Sequence, residues 1–182
     1  MTMTLVLYDM LLNLKYPIPE KEIVVFGKES GENCDIILGS NEYDASRTIG
    51  PDEQIVMNFV LGSVSHEHFA IDRRDVDEAG EGMVVKDLSR NGTFVSREGG
   101  EYEKAERVSD GNYDGAKGLP IQLGSRIRLG ASSDHVLEIM TDDAATGLIL
   151  VFVAMHEEEA EAPKQEEKPK KKKKGLFGLF GR

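Results

Sequence analysis

Three features are scarce in this sequence: tryptophan is absent, cysteine occurs once, and the longest apolar run has eight residues. A single cysteine, Cys34, excludes an intramolecular disulfide and fits a reducing compartment. The apolar run, Leu148 to Met155, is too short to span a bilayer as a helix. Residues 1–16 lack the basic start and small-residue cleavage site of a signal peptide. We therefore expect a cytoplasmic protein.

Basic residues are scarce outside the C-terminus. Residues 1–156 carry 14 Lys/Arg and 27 Asp/Glu, a net charge of −13, whereas residues 157–182 carry eight and six, a net charge of +2. Non-specific nucleic-acid binding needs a basic surface. That function is therefore disfavoured for the acidic part, and we expect an anion to bind only where cations and donors cluster locally.

Short apolar runs recur along the chain and predict β-strands. Gly, Asn, Asp, Ser or Pro separates almost every pair of runs, and no window keeps apolar residues at helical spacing. Short strands with turn signals at intervals of about 8–12 residues indicate an all-β sandwich or barrel. The expected strands are Leu5–Leu7, Ile23–Phe26, Asp35–Leu38, Ile55–Leu61, Phe69–Ile71, Met83–Val85, Thr93–Val95, Pro120–Leu123, Arg126–Leu129, Val136–Met140 and Leu148–Val153.

The most specific motif is Asp-Leu-Ser-Arg-Asn-Gly-Thr-Phe-Val at residues 87–95. Its Asn-Gly pair predicts a tight turn between two strands, because both residues tolerate positive φ. Upstream lie Gly-Lys at 27–28 and Ser-His-Glu-His at 65–68, and Gly-Ser-Arg-Ile-Arg-Leu-Gly follows at 124–130. In this order, from about Val24 to Met140, the motifs resemble the forkhead-associated (FHA) domain, a reader of phosphothreonine peptides.

The resemblance implies a sandwich of about eleven strands with its binding loops gathered at one end. The interval from Ser40 to Gly62 is longer than the family's, and we expect an inserted hairpin arm there that contains the run Ile55–Leu61. Such an insertion shapes specificity, pairs with another protein or decorates the edge. The predicted division is an FHA-like sandwich over 1–155, a charged disordered linker over 156–174 and a short apolar motif over 175–182.

The resemblance also implies a phosphopeptide site. A phosphothreonine presents up to two negative charges and three acceptor oxygens. Lys28 stands where the family has an arginine, so it supplies a charge without the bidentate fork. Ser65 is expected to contact the phosphate, and Asn91 to hold the peptide backbone. The other expected peptide contacts are His66 and Arg90, and the residues expected to shape the loops are Gly27, a buried His68, Gly92 and Thr93.

The two cations also fit ordinary surface roles without any function in phosphate binding. Lys28 also fits an ordinary surface lysine in a turn, and Arg90 an exposed loop arginine.

Motifs for catalysis or metal binding are missing from the sequence. There is no Gly-x-Ser-x-Gly elbow and no phosphate-cradling Gly-rich loop before a helix. His66 and His68 alternate along a strand-like segment and would face opposite sides, which disfavours a shared metal. The sequence predicts a protein that is not an enzyme and has neither cofactor nor metal.

The C-terminal segment combines charge with apolar residues. Five lysines, Lys170 to Lys174, precede Gly-Leu-Phe-Gly-Leu-Phe-Gly-Arg. Lysines attract anionic lipids while apolar side chains insert, or the peptide docks into a partner's groove. Three glycines in eight residues disfavour a stable amphipathic helix, and both interpretations remain open. The predicted docking residues are Leu176, Phe177, Leu179 and Phe180.

The functional prediction is a phosphothreonine-peptide-binding adaptor in Ser/Thr kinase signalling. Its first partner would be a phosphorylated protein, such as a kinase or its substrate, and its tail would dock to a second partner or a membrane surface. The alternative is a phosphate-independent scaffold with the same fold. Lys28 in place of arginine, the long insertion and the acidic surface support that alternative, whereas Ser65 and Asn91 support the reader.

Overall fold

The computed structural model describes residues 4–28, 33–40, 42–43, 49–74, 82–97, 99–146 and 148. Within them, eleven β-strands form two sheets, and a helix of eleven residues connects the fourth and fifth strands. The elements are β1 (Leu5–Asp9), β2 (Leu14–Pro17), β3 (Ile23–Gly27), β4 (Ile36–Ile37), α1 (Pro51–Leu61), β5 (Phe69–Asp72), β6 (Met83–Asp87), β7 (Thr93–Ser96), β8 (Glu103–Lys104), β9 (Leu119–Ile121), β10 (Arg126–Leu129) and β11 (Val136–Thr141). The predicted all-β sandwich is confirmed.

The two sheets enclose one apolar core. One sheet has the strand order β2-β1-β11-β10-β7-β8 and the other β4-β3-β5-β6-β9. In β10, Ile127 and Leu129 are fully buried while Arg126 and Arg128 are only partly buried. This is the alternation expected of a strand with one face on a core.

A stacked aromatic pair lies where two of the loops leave the sandwich. The rings of Phe26 on β3 and Phe69 on β5 are parallel within 5°, with centroids 4.7 Å apart. Both side chains are fully buried. Gly27 directly follows Phe26, and His68 directly precedes Phe69. The core therefore fixes the points from which the 27–28 and 65–68 segments emerge.

The predicted strand over Ile55–Leu61, and with it the hairpin arm, is wrong: this segment forms α1. Pro51 at the helix start and the acidic residues Asp52 and Glu53 in the first turn are helix-start signals. The Glu53 carboxylate accepts a 2.8 Å hydrogen bond from the Gly50 N–H. These N-terminal signals outweigh the β-propensity of the apolar run that follows.

Other differences concern the chain ends and short strands. No predicted strand corresponds to β2, in which Leu14 and Tyr16 are buried, or to the two-residue strand β8. Of the predicted strand Leu148–Val153, only Leu148 is described, and its conformation is helical. The predicted linker and apolar motif over 156–182 lie outside the described residues, so that division stays a prediction.

Candidate functional site

Ser65 joins three loops at one end of the sandwich. Its carbonyl oxygen accepts a 3.2 Å hydrogen bond from the Lys28 backbone N–H. Its Oγ accepts a 3.3 Å hydrogen bond from the Arg90 backbone N–H. A hydroxyl that accepts one hydrogen bond keeps its own proton to donate. Three segments that the sequence predicted to form one site therefore meet at Ser65.

Gly27 is required by the close approach of two backbones. A Cβ atom at this position would lie 1.6 Å from the His66 carbonyl oxygen, which is far inside any allowed contact. Glycine alone lets β3 pass this close to the loop before β5. His66 itself has an exposed side chain.

His68 holds the Ser65 loop in place from the buried side. It is fully buried, and its Nδ1 accepts a 3.0 Å hydrogen bond from the Ser65 backbone N–H. Burial lowers the pKa of His68 to about 4, although Asp87 and the backbone of Gly92 act in the opposite direction. The imidazole is therefore neutral at physiological pH. It is a structural hydrogen-bond acceptor, which is the role that the family resemblance implies for this histidine.

The turn between β6 and β7 is shaped by the buried carboxylate of Asp87. Its Oδ1 accepts hydrogen bonds from the Ser89 N–H at 3.0 Å, the Ser89 hydroxyl at 2.7 Å and the Thr93 hydroxyl at 2.7 Å. The Ser89 Oγ in turn accepts from the Gly92 N–H at 2.8 Å, and Gly92 has a φ of 85°. Gly92 and Thr93 were predicted to shape this loop, whereas Asp87 and Ser89, which organise it, were not predicted.

Asn91 lies at the exposed tip of that turn. Its Nδ2 donates a 2.8 Å hydrogen bond to the carbonyl oxygen of Ser63, which lies between α1 and Ser65. The Asn91 Oδ1 has no hydrogen-bond partner among the described residues. A carboxamide held in this way still offers an acceptor to the N–H of a peptide.

The loops around Ser65 carry cations that are not neutralised within the described part of the chain. Neither the Lys28 ammonium nor the Arg90 guanidinium forms an ion pair there. Several other cations of this acidic domain do form ion pairs within the described residues. The basic residues that pair with a carboxylate at 3.1 Å or less are Lys15, Lys21, Arg74, Lys86 and Arg126. The loop end therefore offers two cations that no described carboxylate neutralises.

A further cation, Lys104, was missed by the sequence analysis. Its Cε lies 3.1 Å from the position that a Cβ on Gly92 would occupy, so its stem runs beside the Asn91-Gly92 turn. Lys104 is on β8, opposite Phe94 of β7. Only the strand pairing brings it to the site, and no local motif marks it.

A second concave region suits an anion poorly. A cavity of about 660 Å³ is lined in part by Glu22, Asp35, Glu67, Lys21 and Tyr113. Its lysine is already paired with Asp35 at 2.5 Å. The described residues contain no cluster of His, Cys, Asp and Glu that could hold a metal ion. In the same part of the chain, no helix is long and apolar enough to cross a membrane.

The predicted docking residues of the tail, Leu176, Phe177, Leu179 and Phe180, lie outside the described residues. Their role therefore stays a prediction.

Comparison with known proteins agrees with the fold. The family model of the FHA domain matches residues 24–130, more than half of the chain. The chain therefore belongs to the FHA family, whose domains are protein-interaction modules that recognise phosphothreonine peptides. A search of curated proteins finds no match.

Several solved FHA domains are similar in structure at low sequence identity. The N-terminal FHA domain of S. cerevisiae Rad53p, solved with a phosphothreonine peptide, is 17% identical with a TM-score of 0.45, and the match covers 78% of this chain and 95% of that one. The FHA domain of the Chlamydia trachomatis protein CT664 is 15% identical with a TM-score of 0.43, covering 75% and 96%. The yeast Dun1 FHA domain, solved with a doubly phosphorylated Rad53 peptide, is 17% identical with a TM-score of 0.41, covering 98% and 91%.

Proposed function

We propose that this protein is an adaptor that binds phosphothreonine peptides at the loop end of its sandwich and has no catalytic activity of its own. The observation that carries the proposal is the junction at Ser65. Its carbonyl and hydroxyl oxygens hold the Lys28 and Arg90 backbones at 3.2 and 3.3 Å. The two cations on these loops form no ion pair with any described residue, although the domain as a whole is acidic.

The proposed site binds the phosphopeptide through both charged groups and hydrogen-bonding groups. The phosphate lies against the Ser65 hydroxyl, which donates to it, and is neutralised by Lys28 and Arg90. Lys28 acts as a point charge, and Arg90 supplies the planar guanidinium that the family has at the Lys28 position. The Asn91 Oδ1 accepts from a backbone N–H of the peptide, and His66 has its side chain exposed on the Ser65 loop.

The test is peptide binding by fluorescence anisotropy, with a phosphothreonine peptide library and the same library unphosphorylated. We expect binding to need the phosphate. Lys28→Ala and Arg90→Ala are each expected to weaken it about tenfold, because a hydrogen bond to a charged group contributes about 1.5 kcal/mol or more. Arg97→Ala is the matched control, since Arg97 is an exposed arginine that follows β7 at the end opposite Thr93. Equal binding of both libraries would refute the proposal.

In this role the protein works in the cytoplasm, where its first partner is a Ser/Thr kinase or a kinase substrate. The tail brings a second partner or a membrane surface to the same molecule, and the charged linker sets their effective concentration. Co-sedimentation with anionic liposomes, with and without residues 170–182, distinguishes the two. Lipid binding that disappears with the deletion supports the membrane, and no lipid binding supports a protein partner.

The second candidate is a phosphate-independent scaffold. The presence of Lys28 in place of the family's arginine favours it, because the bidentate contact is lost. The library experiment separates the two candidates. A scaffold retains its partner after Lys28→Ala and Arg90→Ala, and a reader does not.

A further inference from the structure

Helix α1 presents a large apolar face to solvent. The exposed fractions of Ile55, Val56 and Phe59 are 69%, 58% and 87%. At about 100° per residue these three side chains lie within about 100° of one another around the helix axis. The opposite side of α1 is already anchored to the core through the buried Met57. The exposed face is therefore not needed to hold the helix in place.

The chain leads directly from this face to the proposed phosphopeptide site. The Gly62 N–H donates to the Phe59 carbonyl at 3.1 Å, and the Ser63 hydroxyl donates to the Val60 carbonyl at 3.1 Å. The carbonyl of Ser63 itself accepts from the Asn91 side chain at 2.8 Å. Phe59 thus lies one helical turn before the group that Asn91 binds.

The distances suit a short extended peptide. At an axial rise of about 1.5 Å per residue, the four residues from Phe59 to Ser63 correspond to about 6 Å along the helix axis. The eight residues from Ile55 to Ser63 correspond to about 12 Å. An extended chain covers about 3.3 Å per residue. A peptide held at Asn91 therefore reaches this face about two to four residues further along.

The charges around the face select an apolar occupant. Residues 49–72 contain no lysine or arginine, and Asp52 and Glu53 begin the helix. An acidic flanking sequence is repelled here, whereas the cations that attract a phosphate lie on the adjacent loops. The proposed phosphate-binding loops are therefore cationic, whereas the adjoining face of α1 is apolar.

We propose that the exposed face of α1 binds large apolar side chains of the phosphorylated partner, two to four residues from the residue held by Asn91. Leucine, isoleucine, methionine or phenylalanine there packs against Ile55, Val56 and Phe59. This inference rests on the proposed phosphopeptide function and adds a specificity element from the inserted helix.

The test uses phosphothreonine peptides in which each position within four residues of the phosphothreonine is leucine, serine or aspartate. We expect leucine at one flanking position to strengthen binding about tenfold over serine. Phe59→Gln removes this preference and keeps the dependence on phosphate, and Gln is a good helix former. Leu123→Gln is the matched control. Leu123 is 48% exposed and precedes the Arg126 end of β10, whereas the site lies at the Leu129 end.

The outcomes separate this inference from the function on which it rests. Phosphate-dependent binding with no leucine preference, or with a preference that Phe59→Gln leaves intact, overturns the inference alone. Binding that ignores phosphate overturns the proposed function. If Phe59→Gln converts a dimer into a monomer, or if the face binds leucine peptides only after residues 170–182 are deleted, the occupant is a second copy or the tail, and the inference is wrong.

Discussion

The Asn91 side chain and the Ser63 carbonyl are joined by a 2.8 Å hydrogen bond, which ties the β6–β7 turn to the segment that follows α1. The Asn91 carboxamide thereby uses one N–H group within the protein and keeps its carbonyl oxygen as an acceptor for a ligand. The turn that carries the most specific sequence motif is thus physically coupled to the segment between α1 and Ser65.

Replacement of Asn91 by aspartate should be more harmful to binding than replacement by alanine. Aspartate has the same shape but cannot donate to Ser63 when ionised, and it adds a negative charge beside the phosphate. We expect Asn91→Ala to weaken phosphopeptide binding about tenfold, the loss of roughly one hydrogen bond of 1.4 kcal/mol, and Asn91→Asp to weaken it further. Fluorescence anisotropy measures both. Equal affinities for the two variants would contradict the proposed position of the phosphate.

Gly27→Ala should disrupt the site through sterics alone. The added Cβ would lie 1.6 Å from the His66 carbonyl oxygen, so β3 or the loop must move. We expect a loss of about 3 kcal/mol in the free energy of unfolding, the upper range for overpacking, together with weaker peptide binding. Gly50→Ala is the control, because its φ is −77° and the nearest atom to the new Cβ is 3.6 Å away. Urea unfolding of both variants measures the difference, and an unchanged midpoint for Gly27→Ala would contradict the contact.

The strands were predictable wherever a buried run had turn residues on both sides. Phe69–Ile71 and Arg126–Leu129 are examples, since each alternates or is continuously apolar over the length of one strand. The run Ile55–Leu61 was mispredicted because its composition suits a strand, whereas the structure is decided by the Pro-Asp-Glu signal just before it. β8 has two exposed residues and exists only through its pairing with β7, which no local pattern encodes.

The loop residues of the site were predictable from spacing, but their contacts were not. Gly27, Ser65 and Asn91 could be named from motifs that lie far apart in the chain. The hydrogen bond from Asn91 to Ser63 joins the β6–β7 turn to the segment that follows α1, and the approach of Lys104 to Gly92 depends on strand pairing. Both are tertiary contacts, and no fixed spacing in the sequence signals that the two segments meet.

The buried ion pair of Asp72 and Lys86 should control stability without affecting binding. Their side chains are 1% and 2% exposed, and the Lys86 Nζ lies 3.1 Å from the Asp72 carboxylate. Burial tends to raise the pKa of Asp72, but hydrogen bonds from Arg74 and Lys86 outweigh it and hold the pKa below its usual value. We expect Asp72→Asn to lower the free energy of unfolding by about 3 kcal/mol, because it removes the buried carboxylate that both the Lys86 ammonium and the Arg74 guanidinium contact.

A second variant separates this electrostatic effect from simple loss of packing. Asp72→Asn combined with Lys86→Met removes the buried charge and should recover part of the lost stability. Asp72 lies at the end of β5 opposite Phe69 and the site. The affinity of the folded protein for a phosphopeptide should therefore match the wild type in both variants. A double variant less stable than the single one would contradict this account.

His68 should make the domain less stable as the pH falls below neutrality. Its pKa is lowered to about 4 in the folded state, from an ordinary value of 6.5. The unfolded chain therefore binds a proton between pH 6.5 and 4 that the folded chain does not, and the stability present above pH 6.5 is lost as the pH falls through this window. From pH 6.5 to pH 5 the loss should be about 2 kcal/mol.

Carboxylates also titrate in this range, so the test compares slopes rather than absolute stabilities. His68→Asn keeps an acceptor close to the Nδ1 position for the Ser65 N–H and removes the titrating group. Its free energy of unfolding should be lower at pH 7 but should change less between pH 6.5 and pH 5. Urea unfolding at intervals of half a pH unit measures both slopes. Parallel slopes would mean that groups other than His68 take up the proton, and they would contradict the neutral, buried state of His68 in the folded protein.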